Sequence, residues 1–163
     1  MTNTNFRKRR RELDKFRIDL LPADVFPEDA LLLEFQGRRI SNILLDFAAP
    51  MLSSIEKDNA MQFKTMMYLS AVAWNFSYFE AGDQRKAALD RFLLSGSLFN
   101  EGNRGKMYTI VDSLSARKRS AYWQYDFMIV NFELVKGTKE STVLATAVPY
   151  SLMDFGRAFG TVN

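Results

Sequence analysis

The sequence predicts an α+β fold, with several helices packed around a buried central helix at about 58–81 and a C-terminal antiparallel β-hairpin at about 123–148. Three observations carry this. The stretch from Ala60 to Phe79, AMQFKTMMYLSAVAWNFSYF, is apolar, aromatic or small at almost every position. Segments on both sides of it place apolar residues at i, i+3 and i+4, the helical period. From Tyr122 the chain turns aromatic and β-branched, breaks at Lys136-Gly137-Thr138-Lys139-Glu140, and resumes with the alternating run STVLATAV.

Taken in order, residues 1–17 read as a basic N-terminal arm or frayed helix, and 18–163 as a single globular domain. Leu13, Phe16, Leu20 and Leu21 give a partial helical stripe over 6–21. The cations at its start oppose the helix dipole, which favours fraying. Pro22 and Pro27 punctuate a linker. The run LLLEF at 31–35 fits either a helix or a strand, because periodicity does not resolve so short an apolar segment, and Gly37 reads as a break. Ile40, Ile43, Leu44, Phe47, Met51, Leu52 and Ile55 mark one helical face, with Pro50 predicting a kink or an end near Ala49.

Asp58 is the expected N-cap of the central helix, and Gly82 its left-handed terminator. Lys64 and Glu80 bracket the apolar part and Ser70, Asn75 and Ser77 interrupt it, so a buried helix is predicted rather than a membrane span. The small residues Ser70, Ala73 and Ser77 form a ridge that predicts a close helix crossing. Asp83 starts the next helix and Gly96 closes it; a glycine-rich connector follows at 95–106, then a helix from Met107 to Ser120 ending in Arg117-Lys118-Arg119. That connector fails as a phosphate loop, since the pattern needs Gly where Asn100 stands and Ser or Thr where Met107 stands. A lone hairpin is marginal in water, so 123–148 needs helices against it or a third strand, for which 31–35 is the obvious candidate.

Composition removes several chemistries. The chain has no cysteine and no histidine, which excludes disulfides, thiol nucleophiles, thiolate metal sites and every histidine-based relay. Asp83 and Asp90 lie two helical turns apart, and Asp126 and Glu133 fall on opposite faces of a strand, so neither makes a carboxylate pair. No catalytic, cofactor-binding or metal-binding residue is assigned, and no cofactor is expected. The basic opening lacks an apolar signal core, which gives a cytoplasmic expectation.

Charge is uneven. Residues 1–17 carry seven cations against two carboxylates, and 104–119 five against one; with net +5 and +4 there and +3 overall, the rest of the chain carries −6. Nucleic-acid contact through 7–17 and 104–125 is therefore one candidate function, carried by Arg7, Lys8, Arg9, Arg10, Arg11, Arg117, Lys118, Arg119 and the ring of Trp123. A small-ligand pocket beside Tyr68, Trp74, Asn75 and Tyr78 is another, because a buried amide such as Asn75 must bond either to backbone or to a ligand. The leading expectation is a small non-catalytic protein acting through a protein partner or as a homo-oligomer, from its fourteen phenylalanines, its hairpin edge and the absence of any catalytic motif.

Overall fold

A three-stranded antiparallel sheet and four α-helices make up the described part of the chain in a computed structural model, which describes residues 15–21, 37–56, 59–95, 101–136 and 141–153. The elements are β1 (Lys15–Asp19), α1 (Gly37–Leu52), α2 (Ala60–Phe76), α3 (Asp83–Ser95), α4 (Arg104–Ala121), β2 (Phe127–Lys136) and β3 (Ser141–Pro149), with 3-10 turns at Glu101–Asn103 and Tyr150–Leu152. The α+β class and the C-terminal hairpin are as the sequence predicts. The segments at 1–14, 31–35, 96–100 and 154–163, with Lys57 and Asp58, lie outside the described residues.

The central helix is α2. Every residue from Met67 to Phe76 is buried, so the helix is covered all round in its second half. It packs against α1 on one side, α4 on another and β2 on a third. The small-residue ridge makes the predicted close crossing: the Ser115 hydroxyl of α4 donates to the Ala73 carbonyl at 3.0 Å, an approach a larger side chain at 73 would prevent. Arg85 of α3 ties three elements together, donating to Asp112 at 2.6 Å, to Ser115 at 3.3 Å and to the Phe76 carbonyl at 3.5 Å.

Both ends of α2 differ from expectation. The N-cap is Asn59, whose side chain accepts from the Gln62 N–H at 3.1 Å, one residue after Asp58. The helix stops at Phe76 rather than near 81, and Gly82 does not take the left-handed conformation. Ser77 ends it instead, its hydroxyl donating to the Trp74 carbonyl at 2.6 Å while Tyr78 and Phe79 N–H groups close tight turns onto Asn75 and Phe76.

Gly37 is the first residue of α1, and the segment it was expected to end lies outside the described residues. Pro50 lies in the last turn of α1, so its missing N–H removes one bond near the end and the helix runs two residues further, to Leu52. Ser53 and Ser54 hydroxyls then satisfy the Pro50 and Met51 carbonyls. Ile40, Ser41, Leu44, Phe47 and Ala48 form the buried face of α1.

The largest correction is β1. The stripe over 6–21 predicts a helix, but in its described part Lys15–Asp19 is a strand. Phe16, Ile18 and Leu20 fit a period of two as well as Leu13, Phe16 and Leu20 fit the helical period; the edge of β2 supplies the hydrogen bonds that decide between them. β1 is thus the third strand that the hairpin requires, in the order β1-β2-β3. Registers are Phe16 opposite Leu134 and Ile18 opposite Phe132, and, in the hairpin, Phe132 opposite Ala145. The hairpin itself begins at Phe127, because Trp123 and Gln124 form a turn and Tyr125 and Asp126 are not part of a strand.

A β-bulge at Val130 shifts the β2–β3 register between Ile129 and Asn131. Leu20 and Leu21 N–H groups both donate to the Val130 carbonyl, the last contact β1 makes with β2. Antiparallel alternation then has Phe16 and Ile18 direct their N–H and C=O groups to β2, while Lys15, Arg17 and Asp19 direct theirs away. At the other flank, the Ala145 N–H points away from β2 and donates to the buried Ser41 hydroxyl at 3.0 Å, so α1 covers the edge of β3 there.

Candidate functional site

Four side chains were singled out in α2 and just beyond it: Tyr68, Trp74, Asn75 and Tyr78. Three of them converge on one strand. Beyond Leu21, no strand among the described residues lies on the β1 side of β2, yet Ile129 and Phe127 direct backbone groups there. Asn75 fills the gap: its Nδ2 donates to the Ile129 carbonyl at 2.9 Å and its Oδ1 accepts the Ile129 N–H at 2.8 Å. The amide thus presents the same donor and acceptor that a neighbouring strand would. Trp74 Nε1 donates to the Phe127 carbonyl at 2.8 Å, and the Tyr78 hydroxyl reaches the Phe127 and Tyr125 carbonyls at 3.0 and 3.2 Å. Tyr68 stands apart and donates to the Phe92 carbonyl at 3.3 Å.

These residues therefore spend their hydrogen bonds on backbone. Burial pushes the Tyr68 hydroxyl up to about 12. Burial first, and the nearby Asp126 carboxylate second, push Tyr78 higher still, so both phenols stay neutral through the physiological range.

An aromatic cluster surrounds this seam. The Trp74 ring stacks on Phe127 with centroids 4.9 Å apart, and meets Phe47 edge-on at 5.2 Å and Tyr122 at 6.0 Å. Tyr78 stacks on Tyr150 at 4.2 Å. Lys118 enters the cluster from α4. Its ammonium lies 4.7 Å from the Trp74 ring and 4.9 Å from the Tyr78 ring, with only 3% of the residue exposed. Burial lowers its pKa to about 8, against the charge-favouring effect of Asp126.

The basic triplet consequently splits three ways, as successive residues 100° apart on a helix must. Lys118 points inward. Arg117 lies over the Tyr122 ring at 5.3 Å and donates to its hydroxyl at 3.1 Å, and that hydroxyl donates in turn to Asp46 of α1. Burial and the Asp46 hydrogen bond raise the Tyr122 pKa. Arg119 is exposed, with one nitrogen 3.4 Å from the Ser77 carbonyl. The candidate contacts at 7–11 lie outside the described residues.

Trp123 is the counterpart of the buried Trp74. The Tyr125 N–H donates to the Tyr122 carbonyl at 3.1 Å, closing a turn with Trp123 and Gln124 at its corner. Tyr122 and Tyr125 pack into the cluster on either side, their rings 6.3 Å apart, while Trp123 remains 73% exposed. Leu152, 39% exposed, lies at the same end of the sheet, since Phe127 pairs with Pro149 and the Tyr150 N–H donates to the Asp126 carbonyl. The other large exposed apolar side chains among the described residues lie elsewhere: Met61 at the start of α2 and Leu144 on the outer face of the sheet.

Sequence reasoning missed Lys118 as a core residue, Tyr122–Asp46, and Ser41 as an edge cap. For Lys118 the signal was present: Met107, Val111, Leu114 and Lys118 fall on one helical face, and all four are buried. No described helix is long and apolar enough to cross a membrane, and no three described acidic residues form a metal-holding group. No family model, curated protein or solved structure matches this chain.

Proposed function

We propose that the protein is a non-catalytic binding module that engages a protein partner through the turn at Trp123. The observation that carries this is an indole 73% exposed at the corner of a turn whose flanking tyrosines are anchored in the core. Tryptophan supplies large contact area with little side-chain entropy to lose, and it dominates binding energy where it is buried on association. Leu152 is exposed at the same end of the sheet and Arg119 is exposed four residues before Trp123, so the partner that fits this reading offers an apolar pocket for the indole and a nearby carboxylate. The lack of histidine, cysteine and paired carboxylates in the sequence supports a binding role over a catalytic one.

The chain has two tryptophans, one buried and one exposed, which makes fluorescence a direct readout. The partner is sought with the full chain and with Trp123→Ala as parallel baits. A protein retained by the first and lost by the second, whose binding blue-shifts and protects the Trp123 emission from acrylamide, supports the reading. Identical capture by both baits overturns it. The same emission, followed with a single-stranded oligonucleotide in a salt titration, tests the alternative of nucleic-acid binding. Trp123 and Arg119 favour that alternative, but the inward Lys118 and the engaged Arg117 do not.

A further inference from the structure

The two flanks of the sheet are treated differently. On β3, Ser41 caps the outward Ala145 N–H from α1. On β1, nothing among the described residues pairs with the outward N–H and C=O groups of Lys15, Arg17 and Asp19. An open strand edge is a template for another strand. The sequence of this one is complementary to itself when reversed. Read antiparallel about Arg17, KFRID places Lys15 opposite Asp19, Phe16 opposite Ile18, and Arg17 opposite its own copy.

We infer that β1 pairs antiparallel with β1 of a second copy of this chain, about a two-fold axis at Arg17, joining two three-stranded sheets into one of six strands. The backbone parity permits this register. The residues whose groups face outward, 15, 17 and 19, meet one another, forming three hydrogen-bonded pairs and about six backbone bonds. Phe16 and Ile18, half-buried on the core side, meet the partner's Ile18 and the partner's Phe16 in the closer non-hydrogen-bonded pairs. The register sets a lysine position against an aspartate position at both ends of the strand. Like charges meet only at the axis, where each Arg17 guanidinium is already held by its own Asp19 at 3.0 Å and Glu133 at 3.6 Å. Slipping the register by two residues leaves only three of the five strand positions paired, and in one direction sets Lys15 against Arg17. This contact uses a different surface from Trp123 and does not depend on it.

The test is the mass of the full chain in solution over a range of concentrations, by light scattering and sedimentation. The unaltered chain is expected at twice its chain mass. Arg17→Pro is expected at the monomer mass with an unchanged circular dichroism spectrum, because the N–H it removes is unused within one copy. Trp123→Ala is expected to remain dimeric. Because the chain has no cysteine, disulfide trapping reports the register directly. Arg17→Cys is expected to form a covalent dimer on mild oxidation, since hydrogen-bonded pairs sit about 5.5 Å apart at Cα. Asp19→Cys is expected not to, because two copies of that position lie four residues, about 13 Å, apart along the strands. A monomer at all concentrations, a dimer that survives Arg17→Pro, or equal trapping of the two cysteine variants overturns the inference.

Discussion

Removing the Asn75 amide is expected to cost a large part of the stability of this domain. Asn75 is 2% exposed and makes two hydrogen bonds to one residue, Ile129, which is itself fully buried. Asn75→Ala deletes both bonds and leaves the Ile129 N–H and C=O facing a cavity. Each stranded buried group costs about 1–3 kcal/mol, so the pair is worth about 4 kcal/mol, against a total stability of about 5–15 kcal/mol for a domain. At about 2–4 °C per kcal/mol for a chain of this size, the melting temperature should fall by about 12 °C. Urea unfolding followed by circular dichroism measures the loss. Hydrogen exchange then locates it, with the Ile129 amide losing protection far more than amides at the centre of α4. Asn75→Asp separates the two bonds: it keeps an acceptor for the Ile129 N–H but sets a carboxylate against the Ile129 carbonyl, and should be at least as damaging at neutral pH and less so in acid. A loss below about 1 kcal/mol for Asn75→Ala, or unchanged Ile129 protection, would refute the idea that α2 completes the β2 ladder.

Lys118 makes stability depend on alkaline pH in an unusual direction. Burial lowers its pKa to about 8 in the folded state, from 10.5 for an ordinary lysine. Between those values the unfolded chain holds more protons, so stability rises with pH from about 8 toward 10, by up to about 3 kcal/mol. Tyr68 and Tyr78, both raised by burial, oppose it above about 10, where the unfolded phenols ionise first and stability falls. Lys118→Met should abolish the rise, and an unchanged slope in a pH series of urea melts would count against the buried ammonium. Ser41→Ala should cost about 1–2 kcal/mol by stranding the Ala145 N–H, seen as a lower urea midpoint and faster exchange at Ala145; an unchanged midpoint would mean that α1 does not seal that edge. Trp123→Ala should leave stability within about 0.5 kcal/mol, because so exposed a ring contributes little to the core. A larger loss would show the indole to be structural rather than presented.

What the chain reveals before folding is decided by local pattern. The burial of α2, the hairpin, the helix beginning at Asp83 and the exclusion of histidine and cysteine chemistry all follow from composition and periodicity over windows of about fifteen residues. Even the role of Asn75 was partly legible, since an amide in so apolar a helix must bond to backbone or to a ligand. Its partner was not legible, because Ile129 is 54 positions away and becomes available only where β1 ends and a bulge turns the strand. The same distance problem hid the identity of β1. Five residues that suit either period took the extended form because β2 offered an unpaired edge, a fact that exists only once the hairpin is docked. The triplet Arg117-Lys118-Arg119 looked like one basic patch along the sequence, and the helix turned it into three separate environments. Charge, period and residue type were thus settled along the chain. Which strand fills an edge, which cation goes inward and which of two tryptophans faces solvent were settled by tertiary contacts, because each depends on groups brought together across many tens of residues.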